Sequence, residues 1–425
     1  MRTVSPTSRL RGRVRVPGDK SASHRAILIS ALADGESALE GLSRGDDVAC
    51  TADIVEHLGA TVTWSGERLY VTGPPGGLSP SDAPLWCGNS GTTMRLVSGL
   101  LAAVPGTHHL AGDPSLSSRP MDRVAEPLER MGASVSGTGE RVFAPLTIEG
   151  RRPLRAIHYE VPVPSAQVKS ALIFAGLGGD GTTVITEATR TRPTTEKMLL
   201  EAGVDVVVDE SGTGRVVRVR PSRPQPHTWR VPADPSQAAF FVVLGALHND
   251  AEIVVEAIDD APERVGFLTV LSRMGARLEL TPANGGLEVL VRSGELVATD
   301  IHSSEIPSVD EVPILAVAAA AATGRSHFRA MAELRLKESD RFAGSLRLAQ
   351  LLGCEVGSTG DDFWIEGVGS AQRFSHLSID AGLDHRMVMS SAVAGVSGRG
   401  ADIEGESTVS SSYPHFFDNL EELTR

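Results

Sequence analysis

Cysteine, aromatic rings, positive charge and long apolar runs are all in short supply in this chain. Its 3 cysteines, Cys50, Cys87 and Cys354, are spaced too widely for a zinc-binding pattern or a disulfide framework, and a reducing compartment fits them. Aromatic residues make up only 4%, so the core has to be assembled from Ala, Val, Leu and Gly. Lys and Arg are outnumbered 40 to 53 by Asp and Glu. The resulting net charge of −13 argues against a nucleic-acid or anionic-membrane partner, but permits a small anionic substrate where basic residues gather in one cleft. The most apolar stretch, Val312–Thr323, is too short to span a bilayer, and the opening MRTVSPTSRLRGRV lacks the apolar segment of a signal peptide. The remainder is ordinary globular composition, 41% hydrophobic and 22% charged, and 425 residues are too many for one core, which implies two domains.

Two sets of landmarks recur along the chain. One is a helix end closed by glycine and followed by period-two alternation, at Gly59, Gly132, Gly203, Gly275 and Gly353, spaced 71 to 78 residues apart. Glycine suits a left-handed residue just past a helix, and the alternation predicts a β-hairpin such as Ala60–Val71 or Val204–Val219. The other is a polar turn followed by an Ala-rich helix apolar on most faces, starting at Ser21, Ser90, Ser165, Ser236, Asp310 and His385, spaced 69 to 75 residues apart. Helices apolar all round belong in an interior. A sixth amphipathic helix, Phe416–Leu423, has no hairpin after it, while strand-like residues stand unused at Thr3–Val16. The N-terminal strands are therefore expected to complete the last repeat, and the Pro-rich Pro221–Pro232 to carry the second crossover. This predicts a three-repeat domain over 17–228 and a discontinuous one formed by 1–16 and 229–425.

Residues with chemistry gather where the buried helices begin. Gly18–Arg25, GDKSASHR, combines a close-approach glycine, Lys20, Arg25 and serines placed to cap a helix, a group suited to an anion. It is not a P-loop, since Asp19 stands before the lysine. Asn89, Gly91 and Thr92 in CGNSGTTMR offer donors at a helix start, Arg119 precedes Pro120 in SSRPMDR, and Ser165, Ala166 and Gln167 open the third buried helix, with Lys169 on its first turn compatible with a surface position. Lys337, Glu338, Asp340 and Arg341 in LRLKESDR form the densest charged stretch, with Asp310 at the start of the most apolar helix. Two carboxylates and a lysine together can move protons both ways. Asp384, His385 and Arg386 precede the sixth helix.

In this order and at these separations, GDKSASHR, GNSGT-x-MR, RPM-x-R, SAQVKSA, the Asp310 helix, LRLKESDR and DHRM-x-M resemble the 5-enolpyruvylshikimate-3-phosphate synthase family over nearly the whole chain. The resemblance implies an α/β (α+β) inverted-barrel fold of two domains. Each would have three βαβαββ-type repeats and buried parallel helices, and the two would close on the substrates. It implies transfer of the enolpyruvyl group of phosphoenolpyruvate to the 5-hydroxyl of shikimate 3-phosphate, a step of aromatic amino acid biosynthesis, by a cytoplasmic monomer with no cofactor and no metal.

By the same resemblance Lys20, Ser21, Arg25, Ser165, Ala166, Gln167, Thr191, Asp310 and Lys337 hold shikimate 3-phosphate. Lys20, Asn89, Gly91, Arg119, Gln167, Arg341 and Arg386 hold phosphoenolpyruvate, and Asp310, Glu338, Lys337 and Lys20 are catalytic. Departures are Ser411, where many members carry lysine, Thr191 for a serine, Thr194, Glu333 and Leu96. The related transferase acting on UDP-N-acetylglucosamine normally uses a loop cysteine, which Ala111–Arg119 lacks. A non-catalytic phosphate-binding homologue is the remaining alternative.

Overall fold

The computed structural model describes residues 1–283 and 285–424, with the backbone alone at residue 211; residues 284 and 425 lie outside it. The chain forms two compact units, one of residues 20–231 and one of residues 1–19 with 232–425. Each crossing lies three residues beyond its expected place. Thr228–Arg230 still pairs with Gly35–Glu40 of the first unit, whereas Gly18 and Ala233 bridge each other in the second.

The repeat is visible as a sheet. In the second repeat Leu85–Trp86 leads into a buried helix and returns as the parallel strand Gly106–Ala111; the helix Asp122–Arg130 then leads to the antiparallel hairpin Ser134–Thr138 and Phe143–Gly150. Among the described residues five four-stranded sheets share the order leading strand, returning strand, second hairpin strand, first hairpin strand. The glycines at 59, 132, 203, 275 and 353 all have φ between +75° and +100°, the left-handed residue that lets each amphipathic helix stop and turn into its hairpin.

The two N-terminal strands do not both complete the last repeat. Arg2–Val4 pairs with Ala401–Glu404, but Leu10–Val14 runs parallel to Ala251–Ile258 of the fourth repeat. The reason is topological. The chain re-enters this unit at Pro232 and passes straight into a buried helix, so the fourth sheet lacks a leading strand until Leu10–Val14 supplies it.

Six buried helices, here α1 to α6, span Lys20–Leu32, Gly91–Ala102, Ala166–Gly176, Pro235–Leu247, Val312–Ala321 and His385–Ser397. Every residue of α4, α5 and α6 is buried. Backbones pack closely: a Cβ on Gly99 of α2 would stand 2.1 Å from the Ala171 carbonyl of α3, so only glycine fits. Each unit has its own apolar core. The expectation of a core without rings fails in both: Tyr159, Phe174 and Trp229 are buried in the unit of residues 20–231, and the other unit holds more. Phe240, Phe241, Tyr413 and Phe416 form a cluster with centroids 5.6–6.0 Å apart, and Phe328 stacks on Phe363 at 4.4 Å. Few rings were available, and most of them were spent on this unit.

Several helix starts differ from the sequence reading. Lys20 opens α1, so Ser21 and Ser23 lie inside it, and Ser23 Oγ accepts from the Ser43 N–H at 3.0 Å. Asp234, not Ser236, caps α4, with Pro235 fixed at its first turn. Glu311 holds the cap position of α5, and Asp310 precedes it.

Candidate functional site

Within residues 20–231 the first turns of α1, α2 and α3 carry the expected anion-binding residues. Lys20 Nζ lies 2.9 Å from Asp47 Oδ2, both largely buried. Arg25, one turn on, is buried and fully engaged: Nε donates to Thr195 Oγ1 at 2.5 Å, Nη1 to the Ser21 carbonyl at 2.8 Å and Nη2 to Ser170 Oγ at 2.7 Å. Between them His24 is buried with Nδ1 2.7 Å from Thr51 Oγ1; burial, Lys20 and Arg25 hold its pKa well below the ordinary value, so it stays neutral.

On α2, Ser90 caps the helix through the Thr93 N–H and Gly91 opens it. Arg119 Nη2 donates to Asn89 Oδ1 at 2.5 Å, and Asn89 Nδ2 donates to Asp113 Oδ2 at 2.7 Å. On α3, Ser165 caps through the Val168 N–H and Ala166 opens the helix. Gln167 accepts from Arg95 Nη1 at 2.7 Å and donates to Thr92 Oγ1 at 2.9 Å, tying α3 to α2. Thr191 is placed by its hydroxyl, which donates to Glu187 Oε1.

Within the other unit, a second cluster forms around Arg341, the first residue of the helix Arg341–Leu351 and fully buried. Its Nη1 lies 3.0 Å from Asp310 Oδ1, Nη2 2.6 Å from Glu338 Oε2, and Nε 2.8 Å from Asp384 Oδ2. Burial alone would lower its pKa, but Asp384, Glu338 and Asp310 outweigh that and hold it above the ordinary value. Asp310 is also 3.8 Å from Lys337 Nζ and 3.7 Å from Arg386 Nη2, so three cations surround one half-buried carboxylate. Lys337 donates to the Ser308 carbonyl at 3.0 Å and to Glu333 at 3.1 Å. Ser411 Oγ donates to the Thr408 carbonyl and lies 3.1 Å from His385 Nδ1, so a neutral hydroxyl occupies that position.

Several participants escaped the sequence reading. Arg95 lay in a motif singled out for its glycine, and its spacing of four residues from Gly91, one helical turn, was the available signal. Asp47, the partner of Lys20, lies in the first turn of the helix Asp46–His57, 27 residues away. Arg264, in an unremarkable loop, is buried 2.5 Å from Asp19 and 2.9 Å from Asp234; these acids, with Glu311, overcome the effect of burial and raise its pKa. Lys169 is not a surface residue. Its side chain has no exposure and sits against Glu187 and Glu196, because α3 is buried on the face that residue occupies.

Six repeats, five with this full sheet order and the last with a three-stranded sheet, together with cations and donors at the starts of buried helices, define an enolpyruvyl-transferase fold. The enolpyruvyl transferase NikO from Streptomyces tendae superposes with a TM-score of 0.78 at 17% identity, over 99% of this chain and 96% of that one. The chain belongs to the EPSP synthase (3-phosphoshikimate 1-carboxyvinyltransferase) family, whose sequence profile matches residues 4–420. A 3-phosphoshikimate 1-carboxyvinyltransferase from Synechococcus sp. (strain WH7803) is 42% identical, with 97% of this chain and 96% of that one aligned. The structure of EPSP synthase from Acinetobacter baumannii superposes with a TM-score of 0.86 at 35% identity, over 99% of this chain and 97% of that one.

Proposed function

We propose that the chain transfers the enolpyruvyl group of phosphoenolpyruvate to the 5-hydroxyl of shikimate 3-phosphate and releases inorganic phosphate. Beyond family membership, the observation that carries the reading is the Asp310 carboxylate, held among Lys337, Arg341 and Arg386, with Arg341 bridging it to Glu338. Both substrates are multiply anionic. Lys20, Ser21, Arg25, Ser165, Ala166, Gln167 and Thr191 bind shikimate 3-phosphate, and Asn89, Gly91, Arg119, Gln167, Arg341 and Arg386, with Lys20, bind phosphoenolpyruvate.

When the carboxylate and phosphate of phosphoenolpyruvate engage Arg341 and Arg386, Asp310 loses part of its ion pairing and becomes a better proton acceptor. It takes the proton of the 5-hydroxyl as the oxygen bonds to C2 of phosphoenolpyruvate, and Glu338 delivers a proton to C3. In the tetrahedral adduct the C2–O bond to phosphate then breaks as Glu338 takes a proton back from C3, which forms the enol ether, and the proton held by Asp310 passes to the departing phosphate. Lys337 contacts the hydroxyl and stabilises the charge that leaves. Proton transfers of this kind contribute about 10²–10⁴ each. The setting is a cytoplasmic monomer.

The test is phosphate release from phosphoenolpyruvate with and without shikimate 3-phosphate. Wild type should require shikimate 3-phosphate, and Asp310→Ala should lose about 10²-fold or more in kcat. Release that depends instead on UDP-N-acetylglucosamine, or binding of shikimate 3-phosphate with no turnover, refutes the assignment.

A further inference from the structure

One charged cluster takes no part in this chemistry and is nevertheless sealed from solvent. Lys169 Nζ lies 2.8 Å from Glu187 Oε2 and 2.7 Å from Glu196 Oε1, and donates to the Arg192 carbonyl at 3.2 Å. Arg215, on the strand Gly214–Val219, stands 3.7 and 3.8 Å from the same carboxylates and donates to the Thr191 carbonyl at 2.6 Å. Two buried cations thus face two buried carboxylates, and Arg215 in addition holds the exposed Glu210 at 2.7 Å. Desolvation makes such a group a poor source of stability, and apolar residues of similar volume would pack as well.

What the cluster does hold is the segment 188–195. Glu187 accepts the Thr191 hydroxyl, and Lys169 and Arg215 fix the carbonyls of Arg192 and Thr191. Glu196 directly follows Thr195, whose Oγ1 accepts from Arg25 and lies 2.6 Å from Ser170 Oγ. The tethers end at Thr191, at Arg192 beside it, or at Glu196, next to the threonine that supports Arg25.

We infer that Lys169 is a positioning residue for shikimate 3-phosphate, an inference that rests on the function proposed above. It touches no substrate. It acts through Glu187 on Thr191, and through Glu196 on the turn that presents Thr195 to Arg25. Without its charge, two buried carboxylates share one arginine at a longer distance and the segment shifts away from both contacts. The groups assigned to phosphoenolpyruvate on Arg119, Arg341 and Arg386 are not held by this segment.

Steady-state kinetics on the full chain test this with wild type, Lys169→Met and the double variant Lys169→Met with Glu187→Gln. The double variant keeps an acceptor for Thr191 and leaves Glu196 as the one buried carboxylate beside Arg215, which stays paired to Glu210. Lys169→Met should raise the KM for shikimate 3-phosphate about tenfold or more, and change kcat and the KM for phosphoenolpyruvate less than about threefold. The double variant should return the KM for shikimate 3-phosphate to within about threefold of wild type. An equal rise in both KM values, or a double variant no better than the single one, overturns the inference. If Lys169→Met does not fold, the double variant decides alone: a KM within about threefold supports the role, and a tenfold rise overturns it. A wild type that does not turn over shikimate 3-phosphate refutes the proposed function instead, and that measurement comes first.

Discussion

Arg341 is the cation on which Asp310, Glu338 and Asp384 all rest, and Arg341→Met keeps most of its stem while removing the charge. The guanidinium is fully buried, and Asp384, which it holds at 2.8 and 3.1 Å, is buried with it. Removing one partner of a buried pair costs about 3–5 kcal/mol. Asp384 would keep bonds from Ser339 Oγ and the Arg386 N–H, so the loss should fall near the lower end, about 3 kcal/mol at pH 8.

The pH dependence is the sharper test. In the wild type, burial pushes the Asp384 carboxyl up, but Arg341 overcomes it and holds the carboxyl below its ordinary value. That contribution to stability is present above the unfolded-state pKa and is lost as pH falls through the folded-state value. In the variant, burial acts without the arginine, the folded-state pKa rises above the unfolded one, and the sign reverses. The variant is penalised at high pH and relieved as pH falls, so the gap between the two proteins should shrink from pH 8 to pH 5, by up to about half. Urea midpoints read by hydrogen-exchange mass spectrometry on peptides from Arg341–Leu351 and α6 measure it, with α2 peptides from the other unit as internal control. A gap below about 1 kcal/mol at pH 8, or one that does not change with pH, would refute the reasoning.

Gly91→Ala places a Cβ 2.9 Å from Arg95 Nη1 and 3.4 Å from Arg119 Nη1. Both are ends of flexible side chains, so the variant should fold normally, break the Arg95–Gln167 bond and raise the KM for phosphoenolpyruvate about tenfold, with a smaller rise for shikimate 3-phosphate, which also uses Gln167; equal changes in both would count against the assignment. Burial pushes the thiols of Cys50 and Cys354 up to about 11 and that of Cys87 further. Ellman's reagent at pH 8 should therefore react with the native protein roughly a hundredfold more slowly than with the urea-unfolded chain, and a single thiol reacting at the unfolded rate would contradict the burial argument.

The repeat was legible because its landmarks answer to local rules. A residue just past a helix with positive φ selects glycine wherever it occurs, and an all-apolar helix has nowhere to go but inward. Pairing was not legible in the same way. Leu10–Val14 reads as a strand from its alternation, but which sheet it joins depends on an edge left open some 240 residues later. The cap at Asp234 was readable in hindsight from Pro235 beside it.

In the candidate site, motif order pointed to residues that line helix starts, since their neighbours in sequence are also neighbours in space. Lys169 was misread because its own turn, Val168 to Ala171, says nothing of the acids at 187 and 196 that neutralise it. Glu333 was noted only as a departure; the structure shows it drawing Lys337 into an ion pair. Aromatic content gave the right total and the wrong distribution, because composition carries no information about which of two cores a ring enters.

The split of one unit between the two ends of the chain has a consequence for its synthesis. A ribosome delivers Arg2–Val4 and Leu10–Val14 ahead of both units, yet Leu10–Val14 finds its neighbour only when Ala251–Val255 emerges, and Arg2–Val4 only when Ala401–Ile403 does. Residues 20–231 contain every strand their own sheets require, Thr228–Arg230 included, so that half is able to fold while the remainder is still being made. For on the order of tens of seconds at typical elongation rates, the leading segment travels as an unpaired tether. Its five arginines, at 2, 9, 11, 13 and 15, suit that wait, since like charges resist premature edge-to-edge pairing. Strands translated ahead of residues 20–231 are among the last to find their sheet, and translation of the final repeat is what releases them from waiting.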